Sequence, residues 1–289
     1  MPSEVVLHLT DLHFGWDKDI SKLAERKIVL ASLIDRVMDM HGDWKPTIVC
    51  VTGDIGWQGN TKDYVDAEAW LKKLLDGIGL TFADVLVCAG NHDIDRNQSS
   101  TISRPGGHVE ADQVLRVPIA KHYVAGFAEF TAFCKRVGLR TYVFHKEESY
   151  LLGQTDFKGI RFVAMNSAWF CKGEDDKNNL WVGLPHLRQM EADEQIQKVS
   201  DSPPLPVVVL IHHPDDWWHD EESHAYHGRP NTRDYLAERC HLILNGHTHG
   251  EVRKADRIAE SAIHLTGGAA YAGASHFNSF RASGSSPTA

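Results

Sequence analysis

No apolar run in this 289-residue chain is long enough to cross a bilayer, so a helical membrane anchor is not expected. Nor does the start read as a secretion signal. An apolar strand begins at Val5, which leaves no room for a charged segment followed by a longer apolar core. Cysteine is scarce and unpaired: Cys50, Cys88, Cys134, Cys171 and Cys240 give an odd count with no CxxC. Cys50 and Cys88 fall inside apolar runs and read as small core residues, which points to a reducing compartment. Positive charge is also short, with 30 Lys and Arg against 39 Asp and Glu and a formal net charge of −9. A broad nucleic-acid-binding face would normally be basic, so one is not expected here. Bound metal ions could still outweigh that charge locally. There is no internal repeat. These absences leave a soluble cytoplasmic protein as the expectation.

What is present is enough apolar residue, 42%, for a substantial core. A single domain over residues 1–280 is expected, followed by 281–289 as a flexible polar tail or the stump of a linker to a further C-terminal domain. One stretch organises the rest. Thr47-Ile48-Val49-Cys50-Val51-Thr52-Gly53-Asp54 is short, rich in β-branched residues and stopped by glycine, so it reads as a strand buried on both faces that delivers Asp54 where the chain leaves the sheet. An isolated buried carboxylate is costly, so Asp54 needs a partner or a cation.

The same grammar recurs four times. Val5 to Thr10 ends in Asp11-Leu12-His13, and Val85 to Ala89 ends in Gly90-Asn91-His92-Asp93. Val207 to Ile211 ends in His212-His213-Pro214, and Leu242 to Leu244 ends in Asn245-Gly246-His247-Thr248-His249. Between them, amphipathic helices are predicted over 20–40 and about 61–76, making the first part a parallel α/β arrangement. Further helices are predicted over 118–137, 185–199 and 232–239. An antiparallel pair is predicted at 149–152 and 160–165, and a last strand at 262–266. The sheet is therefore mixed. Long polar loops at 94–117 and 214–230 directly follow site candidates, where loops tend to be functional.

In open α/β sheets ligands bind beyond the carboxyl ends of the strands, so these termini are expected to converge. Their donors are Asp11, His13, Asp54, Asn91, His212, His247 and His249. Mixed carboxylate and imidazole ligation suits Mn, Fe, Zn, Ni or Co better than an oxygen-only calcium cage. Seven donors exceed what one tetrahedral ion uses. Two divalent transition metal ions roughly 3.5–4 Å apart, sharing a carboxylate, would use them all.

Asp11-x-His13, Gly53-Asp54, Gly90-Asn91-His92-Asp93, His212 and Gly246-His247-x-His249, in this order, resemble the five signature blocks of the calcineurin-like metallophosphoesterase superfamily. Thr52-Gly-Asp-Ile-Gly-x-x-Gly59 and His212-His-Pro are most similar to its class III cyclic nucleotide phosphodiesterases. The resemblance implies two mixed β-sheets packed as a sandwich flanked by helices, and hydrolysis of a phosphate ester by hydroxide shared between two metals, manganese being the first choice. By matching position, Asp11, His13 and His249 would hold one metal, Asn91, His212 and His247 the other, and Asp54 would bridge. His92 would face the substrate and assist the leaving oxygen. Some phosphoprotein phosphatases of this superfamily orient that histidine with an acid three residues after the bridging Asp. Here that position is Trp57, so a protein phosphatase is disfavoured and the orientation of His92 is left open.

The expected substrate is a small phosphate ester, most simply a nucleotide or cyclic nucleotide. A DNA nuclease, a phosphomonoesterase and a non-catalytic metal-binding scaffold are the alternatives, and no membrane partner is expected. Around the site, Asp93 is expected to be a structural partner, with a surface ion pair to Arg96 and a catalytic role as the competing readings. His8 and His264 are expected as hydrogen-bonded core residues. Trp217 and Trp218 are expected to pack their loop or, alternatively, to stack on a base. His219, His224 and His227 are read as a solvated loop, with a further metal site as the alternative.

Overall fold

The computed structural model describes residues 4–16, 20–249, 255–257, 262–273 and 278–284. The five apolar runs are strands, and their alternation explains how two layers share them. β1 (Val5–Leu9), β2 (Ile48–Thr52) and β3 (Val85–Cys88) pair in parallel. Val6, Ile48, Cys50, Leu86 and Cys88 point one way, into a layer shared with Phe162, Ala164, Val208, Leu210 and Leu244 of a second sheet. Leu7, Leu9, Val49, Val51, Val85 and Val87 point the other way. They pack under α1 (Ile20–Met38) and α2 (Thr61–Ile78), which supply Leu30, Ile34, Val37, Leu71, Leu74 and Leu75. Both faces of each strand are thus apolar, as the continuous runs require. Asn60 caps α2, its side chain accepting from Lys62 N and Asp63 N.

The chain then passes through α3 (Arg96–Ser99), α4 (His108–Val114), α5 (Lys121–Ala125) and α6 (Ala128–Val137). The loop expected over 94–117 therefore carries two short helices. The helix expected over 118–137 is broken after Ala125, where the Gly126 carbonyl accepts from Asp95 N at 2.8 Å and ties the break to the segment after β3. Next come β4 (Tyr142–Phe144), β5 (Glu147–Ser149), β6 (Gly153–Phe157) and β7 (Ile160–Ala164).

Here the structure departs from the sequence pattern. The partner of β7 is 153–157 rather than 149–152, and Lys158-Gly159 makes the turn, both residues with positive φ. Gln154-Thr155-Asp156 reads as loop because the strand is only half covered, so its polar residues can face water.

α7 (Leu184–Ala192), β8 (Val207–Leu210), α8 (Asp220–Ser223), α9 (Thr232–Ala237), β9 (Leu242–Asn245), β10 (Asp256–Arg257), β11 (Ile263–Thr266) and β12 (Arg281–Gly284) complete the chain. The helix expected over 185–199 ends at Ala192. The segment expected to begin a tail at 281 is instead a strand, pairing antiparallel with β1 from Val5↔Gly284 to His8↔Arg281, while 285–289 lie outside the described residues. Main-chain pairing to an open sheet edge does not need apolar side chains, so Arg-Ala-Ser-Gly gave no strand signal.

The sheets run β12-β1-β2-β3, antiparallel only at β12, and β10-β11-β9-β8-β7-β6-β4-β5, with a parallel centre and antiparallel edges. This is the mixed two-sheet α/β sandwich flanked by helices. Among the described residues, no helix is long and apolar enough to cross a membrane.

Candidate metal centre

Five of the parallel strands, β1, β2, β3, β8 and β9, deliver their carboxyl ends to one place. Asp11, His13, Asp54 and His212 are at most 1% exposed, Asn91 is buried, and His247 and His249 close the cluster as half-buried residues. Asp11, His13, Asp54, His247 and His249 hold φ of 54°, 49°, 55°, 72° and 46°. Non-glycine residues rarely take this left-handed backbone. Five of them in one cluster mark a place where the fold enforces local strain for the sake of side-chain direction.

Glycines make the close approach possible. A Cβ on Gly246 would run into the Thr10 hydroxyl and come within 2.8 Å of Asp11 Oδ2, and one on Gly90 would run into Asp54.

Two donor groups meet. In the first, His249 Nε2 lies 3.1 Å and His13 Nε2 3.9 Å from Asp11 Oδ1. In the second, His212 Nε2 lies 3.0 Å from Asn91 Oδ1 and 3.2 Å from His247 Nδ1. Asp54 Oδ2 touches both, 3.4 Å from His13 Nε2 and 3.2 Å from His212 Nε2.

The tautomers are set from outside. His212 Nδ1 donates to Thr52 O at 2.7 Å and His13 Nδ1 to Tyr271 O at 3.2 Å, which turns both Nε2 lone pairs inward. The His212 Nε2 lone pair then faces a carboxylate, an amide oxygen and a second imidazole nitrogen. Such a convergence is repulsive unless a cation sits in it.

A proton answers the same demand. Burial alone would lower the His212 pKa, yet Asp54 raises it to about 9. Burial works against ionised Asp54 as well, but His212 and His92 hold its carboxyl well below the ordinary range. His249 is raised by Asp11 against the effect of burial, while burial drives His247 down to about 3. Buried carboxylates, inward lone pairs and fixed tautomers are what divalent transition ions require of a protein. Four overlapping groups have ligand atoms mutually within 4.8 Å: Asp11/His13/His249, Asp11/Asp54/His212, His13/Asp54/His92 and His212/His213/His247. The residues fit a pair of ions.

The surrounding residues divide sharply. Asp93 is fully buried and gathers backbone N–H groups from Asp54 (2.8 Å), Gly90 (3.0 Å) and Gly56 (3.0 Å), with the Tyr64 hydroxyl at 3.1 Å. The surface ion pair to Arg96 is therefore not formed, and Asp93 fastens the loops after β2 and β3 to each other. His213, fully buried, has Nδ1 at 2.8 Å from Ser167 Oγ and Nε2 at 3.1 Å from Asn91 Oδ1, which steadies the Asn91 amide. The His-His doublet was its only sequence signal.

His92 donates its N–H to Asp54 Oδ1 at 2.8 Å and its Nδ1–H to Trp57 O at 2.8 Å. Nε2 is left without a protein partner among the described residues. The orientation left open by Trp57 thus comes from Trp57 itself.

Farther out, Trp218 is buried and donates to His213 O at 3.1 Å, whereas half-buried Trp217 stands edge-on to His247 with ring centroids 4.0 Å apart. His8 is a core histidine bonded to Thr52 Oγ1 at 2.8 Å, and His264 bonds Asn245. His219 stacks on Trp181 at 4.2 Å and His224 pairs with Asp220 at 2.9 Å. Neither these two nor His227 joins a metal-capable group among the described residues.

A strand-end cluster of this kind on a two-sheet sandwich defines a metal-dependent phosphoester hydrolase. More narrowly, the chain belongs to the calcineurin-like phosphoesterase family, whose sequence model matches residues 5–251. Among solved structures it is similar to a dimetal phosphatase from Danio rerio, at 14% identity and TM-score 0.52, covering 98% of this chain and 92% of that one. A purple acid phosphatase from yellow lupin seeds is matched at 12% identity and TM-score 0.46, over 91% of this chain and 43% of that one. A phosphopantetheinyl hydrolase from Mycobacterium tuberculosis is matched at 14% identity and TM-score 0.41, over 93% and 90%. No curated protein sequence matches.

Proposed function

We propose that the chain is a phosphodiesterase acting on a nucleotide or cyclic nucleotide with two divalent transition ions, manganese first among them. The observation that carries this reading is Asp54: one carboxylate oxygen lies 3.4 Å from a nitrogen of the first donor group and 3.2 Å from a nitrogen of the second. Asp11, His13 and His249 would hold one ion, Asn91, His212 and His247 the other, with Asp54 common to both. Such a pair, when bound, brings the pKa of coordinated water toward neutrality and offsets negative charge on the phosphoryl group.

The chain's own residues do the rest. The His92 N–H fixes the Asp54 carboxylate, and the His92 ring places Nε2 where a leaving oxygen can take its proton. Burial lowers the His92 pKa to about 4, with Asp54 opposing. An anionic phosphate bound alongside shifts the ring toward its protonated form.

The charge of the neighbourhood supports a diester. A monoester dianion calls for several cationic side chains, whereas the cationic side chain bonded to the His92 ring among the described residues is Arg96, with Nη2 at 3.4 Å from Nδ1. Trp217 beside His247 and Trp16 beside Trp57 put indoles next to candidate site residues, which suits a planar base.

The test is a manganese-supplemented screen of cyclic nucleotides, mononucleotides and single-stranded DNA. Turnover of a cyclic nucleotide or nucleotide diester is expected. A product from DNA alone would replace this reading with a nuclease, and release of phosphate only from mononucleotides would replace it with a monoesterase.

A further inference from the structure

Trp57 meets His92 twice, once through its side chain and once through its main chain. The indole lies on the imidazole with 4.0 Å between centroids and 15° between planes, and Trp16 stands beside the indole at 5.2 Å and 31°. The Trp57 carbonyl accepts the His92 Nδ1–H at 2.8 Å. One residue therefore fixes both the plane of the ring and the nitrogen that keeps its proton.

The loop presenting it is clamped. Asp63, in the first turn of α2, accepts from Trp57 N at 3.1 Å and Gln58 N at 2.8 Å, while Gly56 N donates to Asp93 Oδ1 at 3.0 Å. Main-chain anchoring to a helix and to a buried carboxylate leaves the indole little freedom to follow a drifting ring.

We infer that Trp57 is a positioning residue, which holds His92 in one plane and one tautomer so that Nε2 points at the departing oxygen. This rests on the reading of His92 given above. In the step it serves, a water oxygen bonds to phosphorus, the ester P–O bond breaks, and the Nε2 proton passes to the departing oxygen. The N–H electron pair stays on the ring, which is left neutral with its remaining proton shared between Nδ1 and Trp57 O. A half-turn about Cβ–Cγ would put Cε1 where Nε2 stands and end the transfer. The carbonyl opposes the half-turn and the indole opposes smaller rotations. Among the described residues no carboxylate accepts the Nδ1 proton; the Trp57 carbonyl takes it at 2.8 Å, Arg96 Nη2 stands farther off at 3.4 Å from the same nitrogen, and orientation here depends on the stacking and the shorter bond.

The experiment compares manganese-loaded Trp57→Phe, Trp57→Ala, His92→Ala and the Trp57→Ala/His92→Ala double variant on bis(4-nitrophenyl) phosphate and on diphenyl phosphate, whose phenoxide leaves less readily. Trp57→Ala is expected to lower kcat on diphenyl phosphate about tenfold more than on the nitrophenyl ester, a fraction of what general-acid catalysis supplies. KM and manganese content should hold, Trp57→Phe should restore most of the rate, and Trp57→Ala should add nothing in the His92→Ala background.

A readout independent of turnover is NMR of the metal-free protein. The indole should shift the His92 Hε1 resonance upfield, and Trp57→Ala should abolish the shift. Equal losses on both substrates, a Trp57→Ala effect that persists without His92, or an unchanged His92 resonance would overturn the inference. The His92 reading would still stand if His92→Ala itself were selective for the poorer leaving group. Equal losses on both esters for His92→Ala would remove that reading and the Trp57 inference with it.

Discussion

Gly90 is packed against Asp54 so closely that a Cβ on it would lie 2.6 Å from the Asp54 nitrogen and 2.9 Å from its Cγ. The space needed for a methyl group is filled by the Asp54 carboxylate itself. Gly90→Ala is therefore expected to push Asp54 out of register, at an overpacking cost of about 1–3 kcal/mol. Manganese affinity should fall roughly tenfold or more, since each 1.4 kcal/mol is a factor of ten. Gly106→Ala is the control, because its nearest neighbour would be Glu110 Oε2 at 3.9 Å. Isothermal titration with manganese distinguishes them, and equal affinities in the two variants would contradict the expectation.

His92 and Asp54 touch each other yet should fail differently. Asp54 contacts both donor groups, so Asp54→Asn, which replaces a carboxylate oxygen by an amide nitrogen, is expected to lose bound metal and activity together. His92 offers one ring nitrogen that no described protein group holds, so His92→Ala is expected to keep both ions and lose about 100-fold or more in kcat. Elemental analysis beside turnover of diphenyl phosphate, whose poorer leaving group needs the proton, makes the comparison. Undiminished turnover by His92→Ala would remove its assigned role.

How much of this was legible in the sequence follows from which groups do the work. Side chains at strand ends were legible. An abrupt change from Val, Ile and Leu to Asp, Asn and His exposes a site on a parallel sheet, and Asp11, His13, Asp54, Asn91, His212, His247 and His249 all reach one cluster. Main-chain groups were not. Thr52 O and Tyr271 O choose the tautomers of His212 and His13, and Trp57 O that of His92, yet a carbonyl leaves no mark in composition or spacing. The same blindness explains β12 and β6. β12 is held to β1 by main-chain pairing, and β6 shows water one face, so neither has the apolar pattern from which strands are read. Asp93 was ambiguous because it follows His92 directly. Only burial reveals that its oxygens are filled by amides of two separate loops.

Those amides make Asp93→Asn informative. Asn keeps one acceptor oxygen but turns an NH2 toward backbone N–H groups of Asp54, Gly90 or Gly56. Leaving buried donors unmatched costs about 1–3 kcal/mol, so the urea midpoint should drop. Because the loops joined by Asp93 carry Asp54 and Asn91, metal affinity should weaken in parallel. A variant with a lowered midpoint and unaltered manganese binding would show that the tie serves the fold alone.

His186 provides a pH test away from the metal centre. It is fully buried at the start of α7, between Trp169 at 5.8 Å and Phe144 at 5.7 Å. Burial drives its pKa from 6.5 to about 4, with the backbone at Val182 and Leu115 only partly offsetting this. The folded state therefore binds a proton less readily than the unfolded chain. Its contribution to stability is fully present above pH 6.5 and is lost as pH falls from 6.5 toward 4. With about 1.36 kcal/mol for each pH unit separating the folded and unfolded titrations, the whole contribution is on the order of 3 kcal/mol. His186→Leu keeps an apolar side chain at the position and cannot titrate. Relative to the parent, it should gain stability as the pH is lowered from about 7.5 to about 4.5, with most of the relative gain below the ordinary histidine pKa of about 6.5. Urea denaturation of both metal-free proteins across that range measures the difference and cancels titrations common to the two. Parallel stability curves would mean that His186 is protonated as readily inside the fold as outside it.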